Sequence, residues 1–340
     1  MSDAVTSEPT PVPRPPVIAP EPDRPPPPVP CNAGDPTFLV FFGILIFLAE
    51  FFWPSVMVGL FRGTGFFAWY YPRDAPDVEE RQTLWVLALA FPFQVATVLF
   101  LVASLLGIWP AAVGLHGRHV GRDLFAGALG AIILTPLVLG LHNWVVWLYI
   151  HGLGIAEQRH PLGHLGGLHL SPVELALWLF VAVVAAPVLE ELLFRGVFQS
   201  AARNSRWGGL VGVGAALALA VCVRYQKTVD AVRLLGDAGW TKAGPTVVDA
   251  IAPALLVVAL LLALFVVQRR ARSRVAPAVF GTSMLFAMIH VGVWPSPVAL
   301  FVLALGLGWL KERTQSLVGP IVLHGLFNGV SCALVMVGLG

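Results

Sequence analysis

Two adjacent carboxylates, Glu190 and Glu191, stand with Arg195 in an otherwise apolar stretch. Residues four apart share one face of a helix, so Glu191 and Arg195 can neutralise each other. Glu190 points about 100° away from its neighbour and has no partner in its own helix. An unpaired carboxylate inside a membrane costs about 2.5–3.5 kcal/mol and is a candidate for proton-transfer chemistry. The plainer alternative is that Glu190 reaches water at a helix end.

Two other apolar stretches each carry a pair of residues one helical turn apart. Phe286 and His290 form one pair, and His324 and Asn328 form the other. A lone histidine or asparagine in a hydrophobic helix most often hydrogen-bonds to a neighbouring helix, so either pair alone is a weak sign of chemistry. Combined with the carboxylates, however, they supply more polar groups than packing needs. One shared site is the simplest explanation.

The combined set contains what hydrolysis of an amide bond requires. Glu190, with His290 as its hydrogen-bonding partner, can take a proton from an attacking water. His324 and Asn328 can donate hydrogen bonds to the oxyanion that then forms. No serine or cysteine lies in a recognisable nucleophile context, and the spacings differ from the His-Glu-x-x-His pattern of soluble zinc proteases.

The composition places these motifs in a membrane protein. Of the 340 residues, 57% are hydrophobic and 12% are charged. Soluble domains carry about 25% charged residues, so an ordinary water-facing surface is excluded. A formal net charge of +2 argues against nucleic acid as a partner. The three cysteines, Cys31, Cys222 and Cys332, have no paired spacing and indicate neither a disulfide framework nor a zinc ribbon.

Nine apolar stretches near the 20 or so residues that cross a bilayer as a helix predict the membrane spans. The expected fold is an all-α, polytopic transmembrane bundle of about eight or nine spans that encloses an intramembrane polar cavity. Glu50 is the only charged residue of the first span and has no assigned role. The predicted spans cover residues 38–60, 84–108, 124–150, 173–198, 208–224, 248–268, 276–293, 296–311 and 318–338.

The spans divide the chain into three regions. Residues 1–37 are rich in proline, and we expect a disordered tail whose partner, if it has one, the sequence does not identify. Residues 38–170 are expected to form N-terminal transmembrane helices. Residues 171–340 form the core that carries the motifs, with an insertion around 207–272.

Basic residues between the spans predict the orientation. They cluster at four connections that fall on one side of the membrane, which the positive-inside rule makes cytoplasmic together with the N-terminus. The segment 225–247, between two spans, would then lie outside with its own basic residues. The preference for arginine over lysine suggests a bacterial cytoplasmic membrane. The four clusters are Arg118 with Arg122, Arg203 with Arg206, Arg269 to Arg274, and Lys311 with Arg313.

Taken in order, the three motifs resemble those of the CPBP family of intramembrane proteases. This family includes the CAAX prenyl proteases of the Ras-converting-enzyme type and bacteriocin-processing or immunity proteins. Its motifs Glu-Glu-x-x-x-Arg, Phe-x-x-x-His and His-x-x-x-Asn correspond to residues 190–195, 286–290 and 324–328. The stretch 308–317 also resembles the one that precedes the family's last motif. The resemblance covers roughly residues 173–335.

The resemblance implies a helical protease whose cavity opens into the membrane. Glu190 and His290 would activate the water, and His324 and Asn328 would stabilise the oxyanion. The expected substrate is a protein or peptide associated with the lipid bilayer. The supporting residues would be Glu191, Arg195 and Phe286.

Three alternatives stay open beside this metal-free reading. Glu190, His290 and His324 could form a zinc site with an open position for water, which would make the protein a zinc-dependent protease. A catalytically silent immunity or scaffold protein could keep the same residues for structure. A transporter could use intramembrane acids as a proton relay, although the sequence contains no inverted repeat that would indicate one.

Overall fold

The computed structural model describes residues 31–71, 77–108, 110–117, 119–155, 170–271 and 273–338, without the side chain of Ala238. Throughout these ranges the regular elements are helices, as the sequence predicts. A short 3₁₀ turn, Val291–Val293, follows the eighth helix. The helices are α1 (Pro36–Thr64), α2 (Phe66–Tyr70), α3 (Val78–Leu106), α4 (Val120–Leu153), α5 (Pro172–Asn204), α6 (Gly208–Ala238), α7 (Trp240–Arg270), α8 (Val275–Ile289), α9 (Pro297–Thr314) and α10 (Val318–Met336).

Each of the nine predicted spans coincides with one of these helices. Seven of them, α1, α3 to α7 and α10, are long and apolar enough to cross a membrane by length and composition. Helix α8 has only 15 residues, and α9 has 18 with charged residues in its last turn. The chain is therefore an integral membrane protein built as a polytopic helical bundle.

The first described residues pack against the bundle. Ala33 is fully buried, and its N–H donates to the Ala201 carbonyl at 3.2 Å. The Asp35 side chain accepts the Thr37 N–H at 2.8 Å and caps α1, which begins with proline at its first position. Residues 31–37, which the sequence assigns to the tail, thus contact α5, whereas residues 1–30 lie outside the described residues.

The insertion forms a hairpin of two long helices. Helices α6 and α7 have 31 residues each and meet at Gly239, which has a positive φ of 71°. Residues 225–247, which the sequence places between two spans, are helical in the structure, because α6 continues to Ala238 and α7 begins at Trp240. The charges of Arg224 and Lys227 do not force the chain out of the bundle, since Asp249 on α7 pairs with both.

A buried polar cluster links this hairpin to the rest of the bundle. Asp249 is only 3% exposed and accepts a hydrogen bond from the Tyr149 hydroxyl at 2.8 Å. The same hydroxyl accepts from Trp294 Nε1 at 2.7 Å. Trp294 lies four residues beyond His290 in the connection from α8 to α9. These hydrogen bonds therefore link the insertion to the α8–α9 connection, which follows the second motif.

Glycines bring α6 and α8 into close contact. A Cβ added at Gly212 would lie 2.5 Å from the Gly281 carbonyl oxygen, and one at Gly209 would lie 2.5 Å from the Pro277 carbonyl oxygen. Small residues allow helix backbones to approach in this way inside a membrane. The contact fixes α8, which carries Phe286 and His290, against the hairpin.

The start of α5 is fixed by a reciprocal cap. Ser171 Oγ accepts the Glu174 N–H at 3.3 Å, and Glu174 Oε2 accepts the Ser171 N–H at 2.8 Å. Glu174 also accepts hydrogen bonds from the Tyr71 hydroxyl and from Arg81 of α3. Burial and the Glu174 carboxylate raise the pKa of the Tyr71 phenol, so this hydroxyl stays protonated and remains a donor.

Candidate active site

Helix α5 is irregular where it carries the first motif. Its α-helical part Ala186–Glu190 is preceded by a π-helical segment, Val181–Ala185, and followed by another, Glu191–Phe198. Such segments are rare and recur at functional sites, because an extra residue in the turn re-aims the side chains around it. The two acids therefore sit at a junction between two helical geometries.

Glu191 joins the first motif to the third. Its Oε1 accepts hydrogen bonds from Arg195 Nη1 at 3.0 Å and from His324 Nδ1 at 2.9 Å. The pair of Glu191 with Arg195 is the one that their spacing predicts, and both side chains are fully buried. A carboxylate only accepts, so the proton of this contact lies on Nδ1 of His324. The other ring nitrogen, Nε2, faces Glu190.

Phe286 joins the second motif to the same cluster. The Arg195 guanidinium lies over its ring at 4.2 Å from the centroid, a cation–π contact in a fully buried setting. The ring centroid is also 5.3 Å from that of His290 and 5.7 Å from that of His324. The phenylalanine of the second motif thus contacts all three motifs.

Glu190 has a different environment from its neighbour. Its Oε2 is buried and has no hydrogen-bond partner among the described residues, although its side chain is 17% exposed. His324 Nε2 lies 4.0 Å away, a separation that one water molecule can bridge. Here the structure brings together a carboxylate with an unused oxygen and an imidazole whose other nitrogen is already held.

His290 ends helix α8. Its Nδ1 lies 3.1 Å from the Phe286 carbonyl oxygen one turn earlier. Because that oxygen can only accept, Nδ1 carries the hydrogen and Nε2 carries the lone pair. This side chain is partly exposed at the point where the chain turns into Val291–Val293.

Asn328 makes a contact that spacing does not predict. Its amide nitrogen donates to the Ala182 carbonyl at 2.8 Å, within the first π-helical segment of α5. The amide has a second N–H, which this bond leaves for another acceptor. Ala182 could not be identified from the sequence, because every residue type has a backbone carbonyl.

Glu50 is the residue that the sequence singled out without assigning a role. It lies in a π-helical segment of α1, Phe47–Phe52, near enough to Glu190 for the two carboxylates to repel each other. Its only sequence signal is a lone charge in an apolar span. The region around Glu190 therefore contains three carboxylates, of which only Glu191 has a buried cationic partner.

The proposed zinc ligands can be compared with this geometry. In the described part of the chain, no three side chains of His, Cys, Asp or Glu lie close enough together to hold one metal ion. Glu190, His290 and His324 are therefore not gathered into a three-ligand site in this structure.

Comparison with known proteins gives one match. Residues 172–330 match the family described as type II CAAX prenyl endopeptidase Rce1-like. No curated protein and no solved structure matches the chain. The matched segment is slightly less than half of the chain and contains all three motifs. The match confirms the resemblance found in the sequence: residues 172–330 are similar to this family.

Proposed function

We propose that the protein is an intramembrane endopeptidase that hydrolyses a peptide bond of a membrane-associated protein or peptide with a water activated by Glu190. One observation carries the proposal. The buried Glu190 Oε2 has no hydrogen-bond partner among the described residues and lies 4.0 Å from His324 Nε2. A water between these atoms is held by a base on one side and an imidazole on the other.

In the first step Glu190 takes one proton of this water. The water oxygen bonds to the carbonyl carbon of the substrate, and the carbonyl becomes an oxyanion. In the second step the carbon–nitrogen bond breaks and Glu190 returns its proton to the leaving amine. His290, whose Nε2 carries the lone pair, acts as a further hydrogen-bond acceptor for the water.

Stabilising the oxyanion falls to His324 and Asn328. His324 donates to the oxyanion from Nε2, while its Nδ1 donates to the Glu191 carboxylate. The second N–H of Asn328 supplies the other donor, while its first holds the Ala182 carbonyl.

The family match supports one substrate class as the first to test. The matched family is described as type II CAAX prenyl endopeptidase Rce1-like. A prenylated peptide with a C-terminal CAAX sequence is therefore the first substrate to test. The unprenylated peptide and a set of transmembrane peptides without this sequence complete the comparison.

The deciding experiment measures cleavage of these peptides by the purified chain in detergent. We expect Glu190→Gln to lower the rate by about 10²- to 10⁴-fold, the usual contribution of a general base. Glu80→Gln removes an exposed carboxylate at the start of α3 and serves as the matched control. Absence of cleavage by folded wild-type protein with every peptide class would favour the scaffold alternative.

The metal dependence needs a separate measurement. In this proposal no step passes through a metal, so activity survives a chelator and the purified chain holds no stoichiometric zinc. Activity that is lost on chelation and restored by zinc would establish the zinc-dependent alternative.

A further inference from the structure

A cavity of about 300 Å³ lies away from the three motifs. It is bounded by the α5–α6 connection, the end of α7 and the start of α8. Its polar lining comes from Ser205, Arg206, Gln268, Ser273 and Arg274. From Pro277, also in its wall, helix α8 runs about 20 Å before it reaches His290, at 1.5 Å per residue. The cavity is therefore separate from the candidate active site.

The charge around this cavity is positive and unbalanced. Arg206 and Arg274 line it, and Arg269 and Arg270 are exposed at the adjoining end of α7. Within the described ranges none of these four arginines forms an ion pair with a carboxylate. The Arg206 guanidinium instead lies over Trp207, and that of Arg274 donates to the Asn204 carbonyl at 3.0 Å.

Further hydrogen-bond donors and positive helix ends around the cavity also favour an anionic ligand. The amide nitrogen of Gln268 is buried and has no acceptor among the described residues, which is costly for a polar group. Helices α6 and α8 both begin at this cavity, at Gly208 and Val275, and a helix start carries partial positive charge. Arginines, an unused amide and two helix starts together favour an anion with several acceptor oxygens.

The neighbouring surface carries exposed apolar side chains. Trp207 is 52% exposed beside the cavity, where an aromatic side chain marks a membrane interface. Phe265 lies one turn before Gln268 on α7, and Leu262 lies one turn further, both exposed. An acyl chain has a surface to follow from the cavity into the membrane, which free phosphate does not need.

We propose that this cavity binds the headgroup phosphate of an anionic phospholipid. Basic pockets between transmembrane helices are suited to such headgroups. Bound there, the lipid joins the α5–α6 connection to the start of α8, so it links the helix of the acid pair to the helix of Phe286 and His290. The site requires neither the proposed protease chemistry nor its substrate.

The test measures lipid binding by the full chain, purified in detergent. Native mass spectrometry counts bound phosphatidylglycerol, phosphatidylcholine or inorganic phosphate, and thermal unfolding reports stabilisation by each. We expect phosphatidylglycerol to bind and to raise the unfolding temperature, and the other two to do so weakly. Arg206→Gln with Arg274→Gln should weaken phosphatidylglycerol binding by at least about tenfold, since each arginine contributes near a membrane surface.

Arg313→Gln is the matched control. Arg313 is exposed in the last turn of α9, and its guanidinium lies over Trp309 much as that of Arg206 lies over Trp207. This variant should keep wild-type binding. If the double variant does not fold, Arg206→Gln alone tests the same point, because Arg206 makes no hydrogen bond to the backbone among those described.

Three results would overturn the proposal. One is unchanged phosphatidylglycerol binding in the pocket variants. Another is an equal loss in Arg313→Gln, which would indicate diffuse attraction to a basic surface. The third is equal stabilisation by inorganic phosphate, which would indicate a site for a free anion.

Discussion

Glu190 and Glu191 are neighbours in the chain but have opposite roles in the packing. Glu191 accepts from Arg195 and His324, so its carboxylate satisfies two groups from different helices. Glu190 accepts no hydrogen bond at Oε2 from the described residues. Loss of the first carboxylate leaves a buried guanidinium without its counter-charge, whereas loss of the second removes a group that stabilises little.

This contrast predicts that substitution of Glu191 mainly lowers stability, whereas substitution of Glu190 mainly lowers activity. Glu191→Gln should lower the free energy of unfolding by about 3–5 kcal/mol, the cost of breaking a buried ion pair by removing one partner. Glu190→Gln should change it by less than about 1 kcal/mol while lowering the cleavage rate by about 10²- to 10⁴-fold. Thermal or denaturant unfolding in a fixed detergent measures both variants.

The wild-type chain and Glu80→Gln set the reference values for this comparison. Equal destabilisation by the two substitutions would contradict the assignment, because it would give Glu190 a structural role that its contacts do not indicate.

At the scale of elements, the contact between α6 and α8 decides where the second motif lies. The glycines at this contact leave no room for a side chain, and Gly281 stands five residues before Phe286. A methyl group there meets the backbone of Gly209 rather than the end of a flexible side chain, so one of the helices has to move.

Gly281→Ala should therefore destabilise the protein by about 1–3 kcal/mol, as overpacking does. It should also lower cleavage, since α8 carries Phe286 and His290. Gly214→Ala is the control, because a Cβ at Gly214 meets nothing within 4 Å and alanine favours a helix by up to about 1 kcal/mol. Unfolding of the two variants side by side tests the contact, and similar stability in both would refute it.

The elements were largely predictable from the sequence, because length and apolarity decide where a membrane helix can lie. The helices that run through the charged segment 225–247 were not predicted. The basic residues of this segment resemble those of a loop, and the sequence does not show that Asp249 across the hairpin pairs with Lys227 and with Arg224 just before the segment. Partners on another helix leave no trace in the spacing of one helix.

The same limit applies to the candidate site. The pair of Glu191 with Arg195 follows from a spacing of four residues. The hydrogen bonds that His324 donates to Glu191 and that Asn328 donates to the Ala182 carbonyl join different helices. Both depend on the irregular helical geometry of α5. The residue types predicted which side chains share one site. They did not predict which hydrogen bonds these side chains form between helices.

For the whole molecule, three of the four basic clusters, those of Arg203, Arg274 and Arg313, lie at one end of the bundle. Arg203 pairs with Glu312 at 2.9 Å, which brings the ends of α5 and α9 together. Asn204 donates to the Cys31 carbonyl and accepts from Arg274, so the start of α1 and the start of α8 lie at the same end. This is the grouping that the positive-inside rule used, and the rule predicts that the end is cytoplasmic.

Cysteine labelling in intact cells tests this orientation. With Cys31, Cys222 and Cys332 replaced by serine, a single cysteine is placed either at Arg313 or at Lys242, which is exposed at the opposite end beside Gly239. A membrane-impermeant maleimide should label Lys242→Cys in intact cells and Arg313→Cys only after lysis. The reverse labelling pattern would indicate the opposite orientation in the membrane, with the N-terminus outside.

The π-helical segment Val181–Ala185 has a consequence for how the catalytic residues are encoded. The cap at Ser171 fixes where α5 starts, and each residue of a regular helix turns the following side chains by about 100°. The direction in which Glu190 faces is thus set by the number of residues between cap and acid. A relative whose α5 is a regular α-helix through this interval needs fewer residues between cap and acid to aim its glutamate at the histidine, although its three motifs read the same. The interval is as much a part of the signature as the motifs themselves.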